Sequence, residues 1–305
     1  MRIAIMGAGA LGAYFGARLL VAGHEVAFIA RGAHLAAIRA NGLRIASKLG
    51  DLHLKDVVAT DDPGSLAPAD IVMFAVKLWD TESAARSIRS LIAPGGAVIS
   101  FQNGVMKDEV LTSVLGAGQV MGGVGYIAAT IAEPGVIAHT GTMARLCFGE
   151  LDGSLSPRGK ALRDACQGAG IDVELTQEIQ RRIWEKFVFL AASAGCTSAM
   201  RQPLGPIRTN PETRGFIRDV MAEIVAVGRA RGVGLDADFA DKSMANLDKL
   251  PAEMTTSMHG DLKRGNRLEL PWLSGWVVRL GQELGVATPL NRAISAVLSP
   301  YANGA

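Results

Sequence analysis

Apolar residues in the first half of the chain come in short blocks, each ending in a polar or glycine-rich tip. Ile3-Ala4-Ile5-Met6 runs straight into Gly7-Ala8-Gly9-Ala10-Leu11-Gly12, after which helical spacing continues through Leu20. Ala22-Gly23-His24 leads on to a second strand pattern, Glu25 to Ala30. Leu43 to Thr60 alternates as extended strands do and breaks at Asp61-Asp62-Pro63-Gly64. The continuous apolar run Ile71 to Val76 reads as a parallel strand covered on both faces. Helical spacing over Thr81–Leu91, the breaker Pro94-Gly95-Gly96 and a strand over Ala97–Phe101 follow. Val120–Tyr126 is another strand. Gly135–His139 with Met143–Phe148 reads as an antiparallel pair turning at Thr140-Gly141-Thr142. A helix over Pro157–Ala169 and a strand over Asp172–Leu175 complete the alternation, and helical periodicity takes over from about Thr176.

The expected fold is therefore α/β, an N-terminal Rossmann-type doubly wound sheet over residues 1–176 and an all-helical domain over 177–305. In the second part, Phe216–Arg231 carries a core stripe of Ile217, Val220, Met221, Ile224, Val225 and Gly228. Trp272, Trp276, Leu280 and Leu284 repeat that spacing near the end.

Composition removes several function classes. A formal charge of +2 with no basic run argues against a nucleic-acid or acidic-membrane partner. No stretch is long and apolar enough to span a bilayer, and the first apolar run is broken by glycines as a signal peptide is not, so a cytoplasmic enzyme is expected. The three cysteines, Cys147, Cys166 and Cys196, are far apart and read as buried reduced thiols, and neither they nor the five histidines have metal-ligand spacing. A small-molecule substrate is expected, with the apolar helical half a candidate homodimer surface.

The glycine-rich turn suits a dinucleotide. Gly7 permits the tight turn, Gly9 lets backbone approach a pyrophosphate, and Gly12 lets the helix pack on its strand, so that Gly7, Ala8, Gly9, Ala10, Leu11 and Gly12 cradle the diphosphate at a helix N-terminus. Arg31 stands after the second strand, where an arginine accommodates a 2′-phosphate, which favours NADP over NAD; the alternative is a solvated loop arginine. Lys77 and Asn103 end two successive strands, at the crevice where open α/β sheets bind ligands, or are a solvated charge and a turn residue. On a helical wheel Ser193 and Thr197 lie within about 20° of Lys186 and Leu190 about 40° away. This face carries one ammonium among small hydroxyls in apolar surroundings, the setting that lets a lysine transfer a proton near neutrality; a snorkelling lysine or a partner of Glu185 or Glu178 is the alternative. His259 reads as a packed or exposed histidine and Asp261 as a partner of Lys263 or Arg264.

Together the Gly7–Gly12 turn, Val76-Lys77, Gln102-Asn103-Gly104, Trp184-Glu185-Lys186 and the spacing from Ser257-Met258 through Asp261 to Glu269 resemble the ketopantoate reductase family over nearly the whole chain. The resemblance implies reduction of 2-dehydropantoate (ketopantoate) to pantoate, with Lys186 as proton donor and Glu269 ordering the site and touching the cofactor ribose. By the same resemblance Lys77, Asn103 and Ala128 touch NADPH, and Asn103 and Ser257 reach the substrate. The chain also departs from the family. Leu190 and Ala194 stand where family asparagines follow the catalytic lysine, and Leu204 and Met254 at two further asparagine positions. Ser193 and Thr197 are candidates to replace those contacts. Two other readings follow from the departure: reduction of a less polar 2-oxo acid, or an NADPH-binding sensor without turnover.

Overall fold

Ten strands form one sheet in the computed structural model, which describes residues 1–304. They are β1 (Arg2–Met6), β2 (Glu25–Ile29), β3 (Leu43–Ser47), β4 (Leu52–Leu54), β5 (Val58–Thr60), β6 (Ala69–Phe74), β7 (Ile92–Ser100), β8 (Val120–Glu133), β9 (Val136–Glu150) and β10 (Asp172–Leu175). The strand order is β4-β3-β9-β8-β7-β6-β1-β2-β5, with β10 beside β9. From β8 through β7, β6, β1 and β2 to β5 every pairing is parallel.

The period of two along these strands explains the helices on both faces. Ile3, Ile5, Ile71 and Met73 enter one apolar cluster, while Ala4, Val72 and Phe74 enter the other. The first cluster is completed by α1 (Ala10–Val21), α2 (Gly32–Asn41) and, later in the chain, the helix over Pro157–Gly168, through Phe15, Leu35, Ile38 and Leu162. The second is completed by α3 (Thr81–Ser87) and α4 (Lys107–Leu115), through Ala84, Ala85, Leu111 and Val114. The helix over Pro157–Gly168 is α5. This is a doubly wound sheet.

The hairpin differs from the expected one. Pro134-Gly135 makes the turn between β8 and β9, Gly135 having φ +81°, and Thr140-Gly141-Thr142 lies inside β9 as an irregularity. Register passes from Ala129 opposite His139 to Ile127 opposite Ala144, so the extra residues bulge outward. Buried His139 closes the bulge by a 3.0 Å hydrogen bond from its Nε2 to the Met143 carbonyl. The bulge separates the half of β9 that pairs with β3 from the half that pairs with β10. β7 likewise starts at Ile92, ahead of Pro94, earlier than the expected Ala97.

The chain divides into two compact units, residues 1–102 with 106–179, and residues 103–105 with those from Gln180 onward. The change comes three residues beyond Thr176. Thr176 still bonds back to β9, its N–H donating to Phe148 O at 2.9 Å, and Ile179 packs over Gly122 of β8. The second unit holds most of α6 (Ile179–Met200), then α7 (Leu204–Thr209), α8 (Pro211–Ala230), α9 (Phe239–Leu247), α10 (Ser257–Lys263), α11 (Ser274–Leu284) and α12 (Pro289–Leu298). The α8 stripe is buried, and Gly228 lets α8 approach α6: a Cβ there would lie 2.7 Å from the Trp184 ring. The Glu223 carboxylate accepts from the N–H groups of Leu290 and Asn291 at 2.8 and 2.9 Å, matching the positive end of α12. On α11 the core positions are Val277, Leu280 and Gly281. Leu284 is exposed, which breaks the expected stripe, because the helix ends there at left-handed Gly285.

Two glycines of the first turn separate packing from access. A Cβ at Gly12 would lie 2.5 Å from Gly7 O and 2.7 Å from Ile5 Cγ2, whereas one at Gly9 meets no atom within 4 Å. Gly12→Ala is expected to destabilise the protein by about 1–3 kcal/mol in denaturant titration. Gly9→Ala is expected to leave the midpoint unchanged; an equal loss at both positions would contradict this packing.

Candidate active site

The carboxyl ends of β1, β2, β6 and β7 lie side by side, and the tips that follow them carry the candidate cofactor residues. After β1 the chain turns at Gly7 with φ +94°, and a Cβ there would meet the Ala75-Val76 backbone at 2.8–3.0 Å. The N–H groups of Gly7 and Ala8 both donate to Ile29 O, at 3.1 and 2.9 Å, fastening the turn to β2. Gly9 caps α1 with open space above it. No acidic residue occupies the first turn, so Ala10, Leu11 and Gly12 offer the positive end of a helix to an anion. These residues fit a dinucleotide diphosphate.

His34 of α2 adds a clamp that the sequence reading did not assign. Its Nδ1 accepts from Gly135 N at 3.0 Å, so its Nε2 carries the proton and donates to Ala8 O at 2.9 Å. Burial pushes its pKa below the usual imidazole value, which keeps this neutral form in place.

Arg31, at the end of β2, is exposed, and its Nη2 donates to Asp80 Oδ2 at 2.7 Å. Asp80 ends a 3-10 turn, Leu78–Asp80, that begins directly after Lys77, whose ammonium lies 5.6 Å from the Trp79 ring centroid. The tips of β6 and β7 are tied by Gln102, whose Nε2 donates to Val76 O at 2.9 Å and to Thr81 Oγ1 at 2.8 Å. Its Oε1 accepts from Ser100 Oγ at 3.0 Å. Beneath this tip lies a buried ion pair. Lys107 Nζ donates to Ser100 O at 3.0 Å and Asp108 Oδ1 at 2.9 Å, and burial raises the Asp108 carboxyl above its usual pKa despite the adjacent ammonium. Ala128 sits half-buried in β8 opposite the β9 bulge, in the register gap between Ile127 and Ala129.

Asn103 follows Gln102 and belongs to the second unit. Its Oδ1 accepts a 3.0 Å hydrogen bond from Lys186 Nζ. Glu185 pairs with Arg181 at 2.9 Å and Arg182 at 3.1 Å. Lys186 and Leu190 are half-buried one turn apart on α6, while Ser193, Ala194 and Thr197 are fully buried.

Both hydroxyls are buried, and they differ in their partners: Ser193 Oγ has no hydrogen-bond partner among the described residues, whereas that of Thr197 is bonded. Thr197 Oγ1 donates to Ser193 O at 2.7 Å and bonds Thr256 Oγ1 at 3.1 Å. Thr256 in turn caps α10, accepting from His259 N, and the His259 Nδ1–H donates to Thr197 O at 2.8 Å. These bonds fasten the start of α10, with exposed Ser257 as its first residue, to α6. His259 is a packed histidine, and Asp261 is bonded by Arg264 at 2.8 Å. Leu204 and Met254, singled out separately, are neighbours: Leu204 N donates to Met254 O at 2.9 Å. Glu269 is buried at the start of the 3-10 turn Leu270–Trp272.

Cys147, Cys166 and Cys196 are buried thiols outside any disulfide, and burial pushes those of Cys166 and Cys196 up to about 12. No cluster of three or more His, Cys, Asp or Glu among the described residues is placed to hold a metal, and no helix is long and apolar enough to cross a membrane.

Known proteins resemble this chain in sequence and fold. The family profile described as "Ketopantoate reductase PanE/ApbA" matches residues 3–153, and its C-terminal counterpart matches residues 178–302. A 2-dehydropantoate 2-reductase of Archaeoglobus fulgidus is 35% identical over 293 residues, covering 96% of this chain and 95% of its own. The crystal structure of a PanE/ApbA family ketopantoate reductase from Ralstonia eutropha JMP134 is 36% identical and superposes with a TM-score of 0.90, covering 99% of this chain and 98% of that one. D-mandelate dehydrogenase, solved with NADH and anilino(oxo)acetate, shares the fold at a TM-score of 0.90 and 20% identity, covering 99% of this chain and 98% of that one. The chain belongs to the ketopantoate reductase family and is a pyridine-nucleotide-dependent oxidoreductase acting on 2-oxo acids.

Proposed function

We propose that the protein reduces ketopantoate to pantoate with NADPH, with Lys186 as the proton donor. The observation that carries this reading is the 3.0 Å hydrogen bond from Lys186 Nζ to Asn103 Oδ1, which holds an ammonium in a defined direction on a half-buried helix face. NADPH, when bound, supplies the hydride that reduces the C2 carbonyl carbon. Lys186 gives its proton to the carbonyl oxygen as negative charge develops there, which general acid catalysis rewards by about 10²–10⁴ in rate. Asn103 aims the lysine and offers its amide N–H to cofactor or substrate. Ser257, exposed at the N-terminus of α10, presents a hydroxyl to the substrate carboxylate where the helix dipole favours an anion. Glu269 contacts the cofactor ribose and orders the site. Gly7 through Gly12 hold the diphosphate, Arg31 the 2′-phosphate, and Lys77 and Ala128 flank the bound nucleotide. The domain limits that go with these roles are a nucleotide-binding part to about residue 176 and a catalytic part beyond it.

A second reading within the family is favoured by Leu190. The side chain one turn beyond Lys186 is apolar and half-buried, and the buried Thr197 hydroxyl is bonded to Ser193 O and Thr256 Oγ1. A substrate hydroxyl lodged against Leu190 would lose its hydrogen bond, at about 1–3 kcal/mol. A less polar 2-oxo acid loses nothing there, and the D-mandelate dehydrogenase fold serves such a substrate.

Lys186→Ala is expected to lower turnover of ketopantoate about 10²–10⁴-fold while NADPH affinity, read by nucleotide fluorescence, stays unchanged; an unchanged turnover would remove Lys186 from the mechanism. A comparison of kcat/KM for ketopantoate and 2-oxoisovalerate with NADPH is expected to favour ketopantoate. A preference of tenfold or more for the apolar acid would instead assign the chain to the second reading.

A further inference from the structure

Arg31 is not the whole of the nucleotide-discriminating end of the first unit. β1 lies between β2 and β6 in the sheet, so the Arg31–Asp80 ion pair joins the tips of the two strands that flank the glycine-rich turn. The carboxylate comes from the 3-10 turn after β6, 49 residues from the arginine. The usual acidic marker of NAD binding stands at the end of β2 itself.

The two partners differ in freedom. Asp80 is held by its own backbone: its N–H donates to Lys77 O at 2.9 Å, and its carbonyl accepts from Ser83 Oγ at 3.1 Å. The residues on either side of the turn are anchored as well, with Leu78 and Thr81 each 2% exposed and Thr81 bonded by Gln102. Arg31 is a long side chain, 76% exposed, against 25% for Asp80. The backbone of Asp80 is thus anchored and its short side chain keeps the carboxylate near this tip, whereas the long Arg31 side chain can swing away. Between solvent-facing side chains such a pair is weak, so Arg31 can leave, but Asp80 stays. The other arginine at this edge is matched too: Arg39 lies 3.6 Å from Asp61.

We propose that Asp80 is a cofactor-specificity residue that weakens the preference for NADPH and lets the protein bind NADH comparably well. The inference rests on the reading that this end of the sheet holds the adenosine ribose. A 2′-phosphate drawn to Arg31 comes to rest close to a carboxylate carried on an anchored backbone, and like charges at a few ångströms repel. A 2′-hydroxyl meets the opposite situation, because a carboxylate accepts its hydrogen bond and Arg31 neutralises the remaining charge. The strand-end arginine alone would select NADPH; arginine with an acid on an anchored backbone tolerates both nucleotides.

The test is direct titration of the purified protein, without substrate, with NADPH and NADH, read by nucleotide fluorescence and by the shift in thermal midpoint. The proteins compared are the unaltered chain, Asp80→Asn, Asp80→Glu and Arg31→Ala. The unaltered protein is expected to bind the two nucleotides within about tenfold of each other, and Asp80→Asn to raise the NADPH preference by about tenfold or more, the scale of one close charge pair at a wet surface. Asp80→Glu, which keeps the charge, is expected to stay near the unaltered ratio. An Asp80→Asn ratio equal to the unaltered one, with Arg31→Ala still losing NADPH selectively, would overturn the role of Asp80 alone. If Arg31→Ala and Asp80→Asn both leave the two affinities unchanged, the placing of the ribose at this end falls with it.

Discussion

The first unit depends on one close approach between backbones. Gly12 of α1 comes so near Gly7 O and Ile5 that no side-chain carbon fits, and Gly7 itself turns in a left-handed conformation against the Ala75-Val76 backbone. This contact sets the height of α1 over the sheet and so the position of its open N-terminus at Gly9. Everything polar around it serves to keep the turn there. Ile29 O receives two N–H groups from the turn, and neutral His34 bridges Ala8 O to the hairpin at Gly135. The tips of β6 and β7 are stiffened in the same way, by the Gln102 amide and the buried Lys107–Asp108 pair. A buried pair of this kind adds little net stability, but removal of one partner leaves an uncompensated charge. Its place directly below Ser100 and Gln102 suits a rigid tip.

In the second unit, hydroxyls do the fastening. Thr197 ties α6 to the cap of α10 through Thr256, and His259 returns a hydrogen bond to the Thr197 carbonyl. Lys186 stands about three turns earlier on the same helix, held by Asn103. The buried small side chains of α6 thus make a packed frame, while Lys186 and Leu190 stay half-buried.

The sheet, the glycine turn and the change to helices were legible because each has a short-range signature: apolar blocks, positive-φ glycines and a switch of period. The hairpin was misplaced because Thr140-Gly141-Thr142 and Pro134-Gly135 carry similar turn signals, and only the packing of His139 against Met143 O decides that the former is a bulge. A helical wheel places Lys186, Leu190, Ser193 and Thr197 on one face of α6 but does not tell which hydroxyls bond neighbouring helices, as that of Thr197 bonds Thr256. His34 and Asp80 escaped notice for a related reason. Their partners are 26 and 49 residues away, at distances no local pattern encodes. Leu190 and Ala194 were visible as departures from the family, and the structure adds that only Leu190 is accessible.

Hydride delivery to the carbonyl carbon of a 2-oxo acid is the central step of the proposed reaction, and isotope transfer tests it most directly. With ketopantoate as substrate and NADPH carrying deuterium at the transferable C4 position, deuterium should be found in the product at C2, with none appearing at that carbon when the solvent alone is deuterated. Product lacking deuterium at C2 in the first experiment, or carrying it there in the second, would contradict the account.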